Sequence, residues 1–249
     1  MALFKSGNPA LDKETFKEID NDESGDVMTL QGTVNKTGLL LLAVIIPAIY
    51  TWHLFTETMD FNVIAPLFWT GSLCGLAVAF IIVFNKEWSP FLAPLYAIFQ
   101  GICLGGLSAA INHKFPGIVL QALLLTFGIC AVLLFIYKLK IIQPTENFKL
   151  IVSSATAGLA LYYLASLGLS FAGIELPYIH ENSAGGIIFS LFAVVLASMN
   201  LVVDFDFIEQ GANSKVPKYM EWYGAFGLMV TIIWLYIEIL RLLAKARKR

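Results

Sequence analysis

Long apolar runs separated by short polar links organise the chain. A helical crossing of a bilayer takes about 20 mostly apolar residues. Seven stretches meet or approach that length: Gly38–Phe55, Val63–Phe84, Pro90–Asn112, Gly117–Tyr137, Leu150–Gly173, Gly185–Val203 and Trp222–Leu243. The links between them, Thr56–Asn62, Asn85–Ser89, His113–Pro116, Lys138–Lys149, Ile174–Ala184 and Asp204–Glu221, hold turn formers and charges and leave no room for a second domain. Alternating apolar and polar segments of about ten residues, the mark of a membrane barrel, are absent. The pattern predicts an all-α, polytopic membrane protein with seven transmembrane helices. A polar N-terminal arm covers 1–37, the transmembrane domain 38–243, and a basic tail 244–249.

Composition agrees with that reading. Of 249 residues, 58% are hydrophobic and only 14% charged, against roughly 25% charged in a soluble domain. So few charges cannot cover a soluble core of this size, which excludes a disordered chain and argues against a soluble enzyme. A net charge of −2 gives no basic surface for nucleic acid. Cys74, Cys103 and Cys130 sit inside apolar runs without CxxC spacing and read as small buried hydrophobes. The arm is mixed in charge and lacks the basic-then-apolar order of a cleaved signal, so the first apolar run is expected to insert and stay.

With the N-terminus cytoplasmic, Lys86, Lys138, Lys140, Lys149, Lys215 and Lys218 fall on inner links and only Lys114 on an outer one, as the bias of Lys and Arg toward the cytoplasm requires. The tail dissents. Seven full crossings put Arg241, Lys245, Arg247, Lys248 and Arg249 outside, unless one of the last two segments re-enters. His53, His113 and His180 then lie near the outer face and read as interfacial rings. Trp52, Trp88 and Trp222 lie at predicted membrane edges. Small residues recur at helical spacing, as in Gly71 and Gly75, Gly101 with Gly105 and Gly106, Ser154 and Gly158, Ser166 and Ser170, and Gly224 and Gly227. They predict close backbone packing rather than a wide aqueous pore. Pro47 and Pro94 are expected to kink their helices.

Ionisable groups inside a membrane are costly and therefore informative. Glu238 lies well inside the last run with Arg241 one turn later, and Asp204 ends the sixth run, followed by Asp206 and Glu209. Gln100, Asn112, Gln121 and Asn200 are the main neutral polar groups. Asp206 and Glu209 fit a solvated helix end, and Glu238 with Arg241 fits a local ion pair. Packing does not explain a carboxylate directly after Asn-Leu-Val-Val, so Asp204 is the leading functional candidate. GxSxG, HExxH, GxxxxGK[ST] and a helix-opening GxGxxG are all missing. An enzyme is not expected.

Three stretches carry a family resemblance: Asn-Leu-Val-Val-Asp-Phe-Asp-Phe-Ile (200–208), Leu-Tyr-Ile-Glu-Ile-Leu (235–240) and Pro-Leu-Tyr-Ala-Ile-Phe-Gln-Gly-Ile-Cys-Leu-Gly-Gly-Leu-Ser (94–108). They resemble the Bax-inhibitor-like, or transmembrane Bax inhibitor motif, family. Met-Thr-Leu-Gln-Gly-Thr-Val-Asn-Lys-Thr (28–37) and Lys-Tyr-Met-Glu-Trp-Tyr-Gly-Ala-Phe-Gly (218–227) are similar to a bacterial branch with a polar N-terminal arm. The resemblance implies seven helices with the last one central, in a bacterial inner membrane. It also implies a pH-sensitive Ca²⁺ leak, gated by two acids that share a proton and fall here on Asp204 and Glu238. Close carboxylates titrate in separated steps, and hard oxygen ligands suit Ca²⁺. Asp204 and Glu238 are thus the candidate gate and Ca²⁺ ligands. Asp206, Glu221, Glu209 and Arg241 are secondary, and Ca²⁺ is permeant or bound ion rather than cofactor.

The chain departs from the family in carrying Glu238 for an aspartate, in the 34 positions between the two acids, and in lacking an arginine in the second helix. From Trp222 to Glu238 a straight helix advances about 24 Å. Pairing with Asp204 then needs a broken segment within 205–230; a straight hairpin makes Glu221 the better neighbour. Two other functions stay open beside the leak. One is a non-transporting protein that binds a membrane protease or other membrane partner through the arm and tail. The other is a proton-coupled carrier, for which the halves show no convincing repeat.

Overall fold

The computed structural model describes residues 26–170, 173 and 183–248. Seven helices long and apolar enough to cross a membrane account for nearly all of them. They are α1 (Leu30–Thr58), α2 (Phe61–Phe84), α3 (Ser89–Lys114, entered through a 3-10 turn at Lys86–Trp88), α4 (Ile118–Lys138), α5 (Glu146–Ser170), α6 (Ala184–Asn213) and α7 (Met220–Arg247). Among the described residues the β-type pairing is one isolated antiparallel bridge, Val27 to Pro217. The all-α polytopic class read from the hydropathy pattern is what the chain adopts.

Local chemistry sets the ends. Thr29 caps α1 by accepting the Gly32 N–H, and Met59 closes the helix in the left-handed region at φ 51°. Asp60 then caps α2 by accepting the Asn62 N–H, and Lys215 turns the chain after α6 at φ 53°. Pro47, Pro66 and Pro94 all lie inside helices.

Several boundaries differ from the sequence reading, the start of α5 at Glu146 rather than Leu150 among them. α1 begins at Leu30, inside the stretch assigned to the arm, because Thr29 supplies a cap that hydropathy does not register. α6 continues ten residues past Val203, to Asn213, so Asp204, Asp206 and Glu209 are helical rather than part of a link. α7 runs to Arg247, so most of the basic tail is helical too. Apolar runs stop at the first charge, whereas backbone hydrogen bonding does not.

The chain divides into two compact units. One comprises residues 26–119 and 207–229. Here glycines bring backbones together: a Cβ on Gly101 would overlap the Val44 carbonyl oxygen, and one on Gly105 the Ala48 carbonyl oxygen. A Cβ on Gly71 would stand 2.8 Å from the Phe99 oxygen. α3 therefore packs directly on α1 and α2, as small residues allow in lipid. Tyr96 meets Phe226 edge-on with ring centres 5.0 Å apart.

The other unit comprises residues 120–206 and 230–248. Its core gathers Val152 and Leu159 of α5 with Ala193, Leu196 and Val203 of α6, flanked by Tyr163, Phe189 and Trp234. Gly158 has nothing within 4 Å of a built Cβ, so the small pair Ser154 and Gly158 does not mark a close backbone approach there. Within its most apolar window α7 is 67% buried, against 22% for α1 and α2 and 17% for α4 and α5. Those less buried helices present Leu, Ile, Val and Phe outward, the surface a bilayer solvates.

Candidate functional site in the transmembrane helices

Asp204 sits on the twenty-first residue of α6, fully buried, and neither carboxyl oxygen accepts a hydrogen bond among the described residues. Thr231 of α7 faces the carboxyl without closing to hydrogen-bond geometry. Cys130 of α4 lies within electrostatic range. One turn before Asp204, Asn200 is also buried. Its amide nitrogen donates to Thr156 Oγ1 at 2.8 Å and to the Leu196 carbonyl at 2.9 Å. Asn200 Oδ1 has no donor.

Glu238 has the opposite character. Its Oε1 accepts from Tyr163 Oη at 2.9 Å and from Trp234 Nε1 at 3.2 Å, and Arg241 Nη1 stands 3.4 Å from both carboxylate oxygens. Arg241 also donates to Tyr163 Oη at 2.9 Å, with its guanidinium 5.2 Å from the centre of the phenol ring. The local ion pair is therefore present, and Tyr163 bridges it. Thr231 and Glu238 are seven residues apart on α7, about 10 Å of helix. Two turns thus separate the level of Asp204 from Glu238. α6 and α7 are both unbroken at these positions, with the connection confined to residues 214–219.

The secondary candidates have acquired partners. Asp206 pairs with Lys149, a buried cation of α5 that also stands 3.6 Å from Glu146. Asp206 is thus not the solvated helix end read from the sequence. Glu209 is half-buried on α6. Glu221 is wholly buried in the other unit, where Thr29 donates its backbone N–H and its hydroxyl to Oε1 at 2.9 and 2.8 Å. Lys36 pairs with Oε2, and Lys218 stands 3.4 Å from Oε1.

Among the described residues no three His, Cys, Asp or Glu side chains converge as a metal-binding set. A cation at Asp204 would rest on one carboxylate and neutral oxygens. His53 stands 3.4 Å from Glu57 on the exposed face of α1, His113 meets Phe55 edge-on, and His180 lies outside the described residues. Cys74 is exposed rather than buried, and Cys103 Sγ is 3.1 Å from Ser72 Oγ.

Sequence reasoning missed Lys149, Tyr163 and Thr231. Lys149 was counted among link charges, and Tyr163 and Thr231 are polar only at one atom. A hydroxyl within an apolar run is the signal that could have found the last two.

No curated protein and no solved structure matches the chain. A family model described as Bax inhibitor 1 like matches residues 8–248, nearly the whole length. The chain is a multi-pass membrane protein and belongs to the Bax inhibitor 1 like family.

Proposed function

We propose that the protein is a pH-sensitive Ca²⁺ leak of a bacterial cytoplasmic membrane, with its N-terminus cytoplasmic and its ion-binding gate at Asp204. One observation carries this reading: a fully buried carboxyl group, deep in a helix able to span a membrane, whose two oxygens lack hydrogen bonds. A carboxylate so placed is expensive unless a cation or a proton neutralises it. Ca²⁺ favours carboxylate and neutral oxygen ligands, and a proton competes for the same oxygens. Exchange between the two supplies a gate that responds to pH.

Glu238 takes a different part from the one its motif suggests. Arg241, Tyr163 and Trp234 already neutralise and orient it. It stays closed within its own ion pair, while Asp204 carries the exchangeable ion. Lys245 donates to the Gly186 carbonyl at 3.0 Å and Arg247 to Gln121 Oε1 at 2.9 Å. This favours the leak over a partner-binding tail, because these two cations are held within their own unit.

The test is Ca²⁺ influx into proteoliposomes containing the full chain, the Asp204→Asn chain or the Glu238→Gln chain. Flux in the unaltered protein, lost in Asp204→Asn and only reduced in Glu238→Gln, is the expected result. Absence of flux at every pH between 6 and 8, with folded protein, would refute the leak.

A further inference from the structure

We infer that Asn200 supplies a second ligating oxygen to the cation held at Asp204. This rests on the leak reading and names a residue that reading does not use. Asn200 and Asp204 are four residues apart on α6, so their side chains lie on one face, a single turn from each other. Both are buried, at 1% and 0% exposure.

The amide orientation is fixed by its surroundings. Both hydrogens of Nδ2 have acceptors, Thr156 Oγ1 on α5 and the Leu196 carbonyl one turn earlier. Flipping the amide would set its carbonyl oxygen against the Leu196 carbonyl, oxygen against oxygen, so the nitrogen belongs where it is. That leaves Oδ1 as a pure acceptor without a donor. With the two Asp204 oxygens it makes three buried acceptors within one turn of helix, and no described donor closes on any of them.

Buried polar atoms are satisfied in nearly all folded proteins, so three orphans together call for an explanation. Packing does not provide one, because a leucine at 200 would fill an apolar core at no polar cost. A hard cation does, since carboxylate and amide oxygens are its usual ligands. The Thr231 hydroxyl faces the same carboxyl from α7, so neutral oxygens from two helices flank a single acid. The hydrogen bond to the Leu196 carbonyl, one turn earlier on the same helix, is enough to fix which way Oδ1 points.

The experiment measures Ca²⁺ binding to the full-length protein in lipid nanodiscs and the half-saturating Ca²⁺ concentration for flux in proteoliposomes, both at pH 8. Four substitutions are compared with the unaltered chain. Asp204→Asn should abolish saturable binding and flux, which tests the underlying leak. Asn200→Leu should raise half-saturation at least tenfold. Asn200→Asp keeps one oxygen and adds charge but sets its second oxygen against the Leu196 carbonyl, so it should change half-saturation at least threefold, in either direction. Thr156→Val removes an amide partner but no proposed ligand, and should stay within twofold.

If Asp204→Asn loses binding while both Asn200 variants match the unaltered protein, Asn200 is a packing residue and the inference fails with the leak intact. Should Thr156→Val reproduce the Asn200→Leu change, the effect is structural and the inference also fails. If Asn200→Leu does not fold, unchanged half-saturation in Asn200→Asp overturns it. If the unaltered protein shows neither flux nor Asp204-dependent binding, the leak reading and the Asn200 assignment fall together.

Discussion

Thr29 and Glu221 lie 192 positions apart in the chain, yet Thr29 gives one Glu221 oxygen both its backbone N–H, at 2.9 Å, and its hydroxyl, at 2.8 Å. Lys36, two turns further along α1, pairs with the other oxygen. The Met28 N–H adds a 2.8 Å bond to the Val216 carbonyl. The beginning of α1 is thereby fastened to the first turn of α7 through one buried carboxylate, and to the connection before it through Met28 and Val216.

That fastening makes Lys36→Met damaging, because it strips the nearer of two cations from a wholly buried acid and leaves only the more exposed Lys218, 3.4 Å from the other oxygen. Removing one partner of a buried pair costs about 3–5 kcal/mol. Lys36→Met combined with Glu221→Gln should recover much of the loss, since no uncompensated charge remains. Thermal unfolding of the detergent-solubilised single and double variants checks this; equal losses in both would show that the pair itself contributes little.

Gly32 is sterically committed to the same carboxylate. A Cβ there would overlap the Glu221 carboxylate. Gly32→Ala should therefore destabilise the protein by about 1–3 kcal/mol through overpacking, although alanine is the better helix former by about 1 kcal/mol. A melting temperature that rises instead would show that the carboxylate relocates freely.

Lys149 serves two acids, Asp206 and Glu146, and is itself buried. Lys149→Met should cost about 2–3 kcal/mol, less than a fully buried pair because both carboxylates keep some exposure. Adding Asp206→Asn should restore part of it. Denaturation of the double variant no better than that of the single one would remove Asp206 from the account.

Tyr163→Phe deletes one hydroxyl that donates to Glu238 and accepts from Arg241. The expected loss is about 1–3 kcal/mol, the cost of leaving buried polar groups short of a partner. Ca²⁺ half-saturation should hold within twofold, because Asp204 keeps its surroundings. A large shift in half-saturation with little loss of stability would instead place Glu238 in the ion's first shell.

Protons and Ca²⁺ compete for the Asp204 oxygens in the proposed leak. Acidification fills those oxygens with a proton, so Ca²⁺ binding and flux should fall from pH 8 to pH 6, and higher Ca²⁺ should offset the fall. Asp204→Asn should abolish the flux, and any residual flux should no longer vary with pH. Stopped-flow flux at several Ca²⁺ concentrations reads the competition directly; a pH profile unchanged by Asp204→Asn would place the sensor elsewhere.

Seven helices, their order and their membrane setting were legible in the sequence because hydropathy is additive along the chain: a run of some 20 apolar residues finds its lowest free energy in hydrocarbon whatever lies around it. The same rarity of charge singled out Asp204 and Glu238. Tertiary structure alone decided what each acid meets. Glu238 found Arg241 on its own helix, as spacing allowed, but also Tyr163, 75 positions away. Asp206, read as solvated, found Lys149 on α5, and Glu221 found Thr29 and Lys36 near the start of α1. Asp204 was left facing Thr231 with both oxygens unbonded, one turn from the unpartnered oxygen of Asn200. Whether a buried carboxylate is neutralised or left open depends on side chains brought from other helices, and that depends on packing, which no local pattern along one strand of sequence encodes.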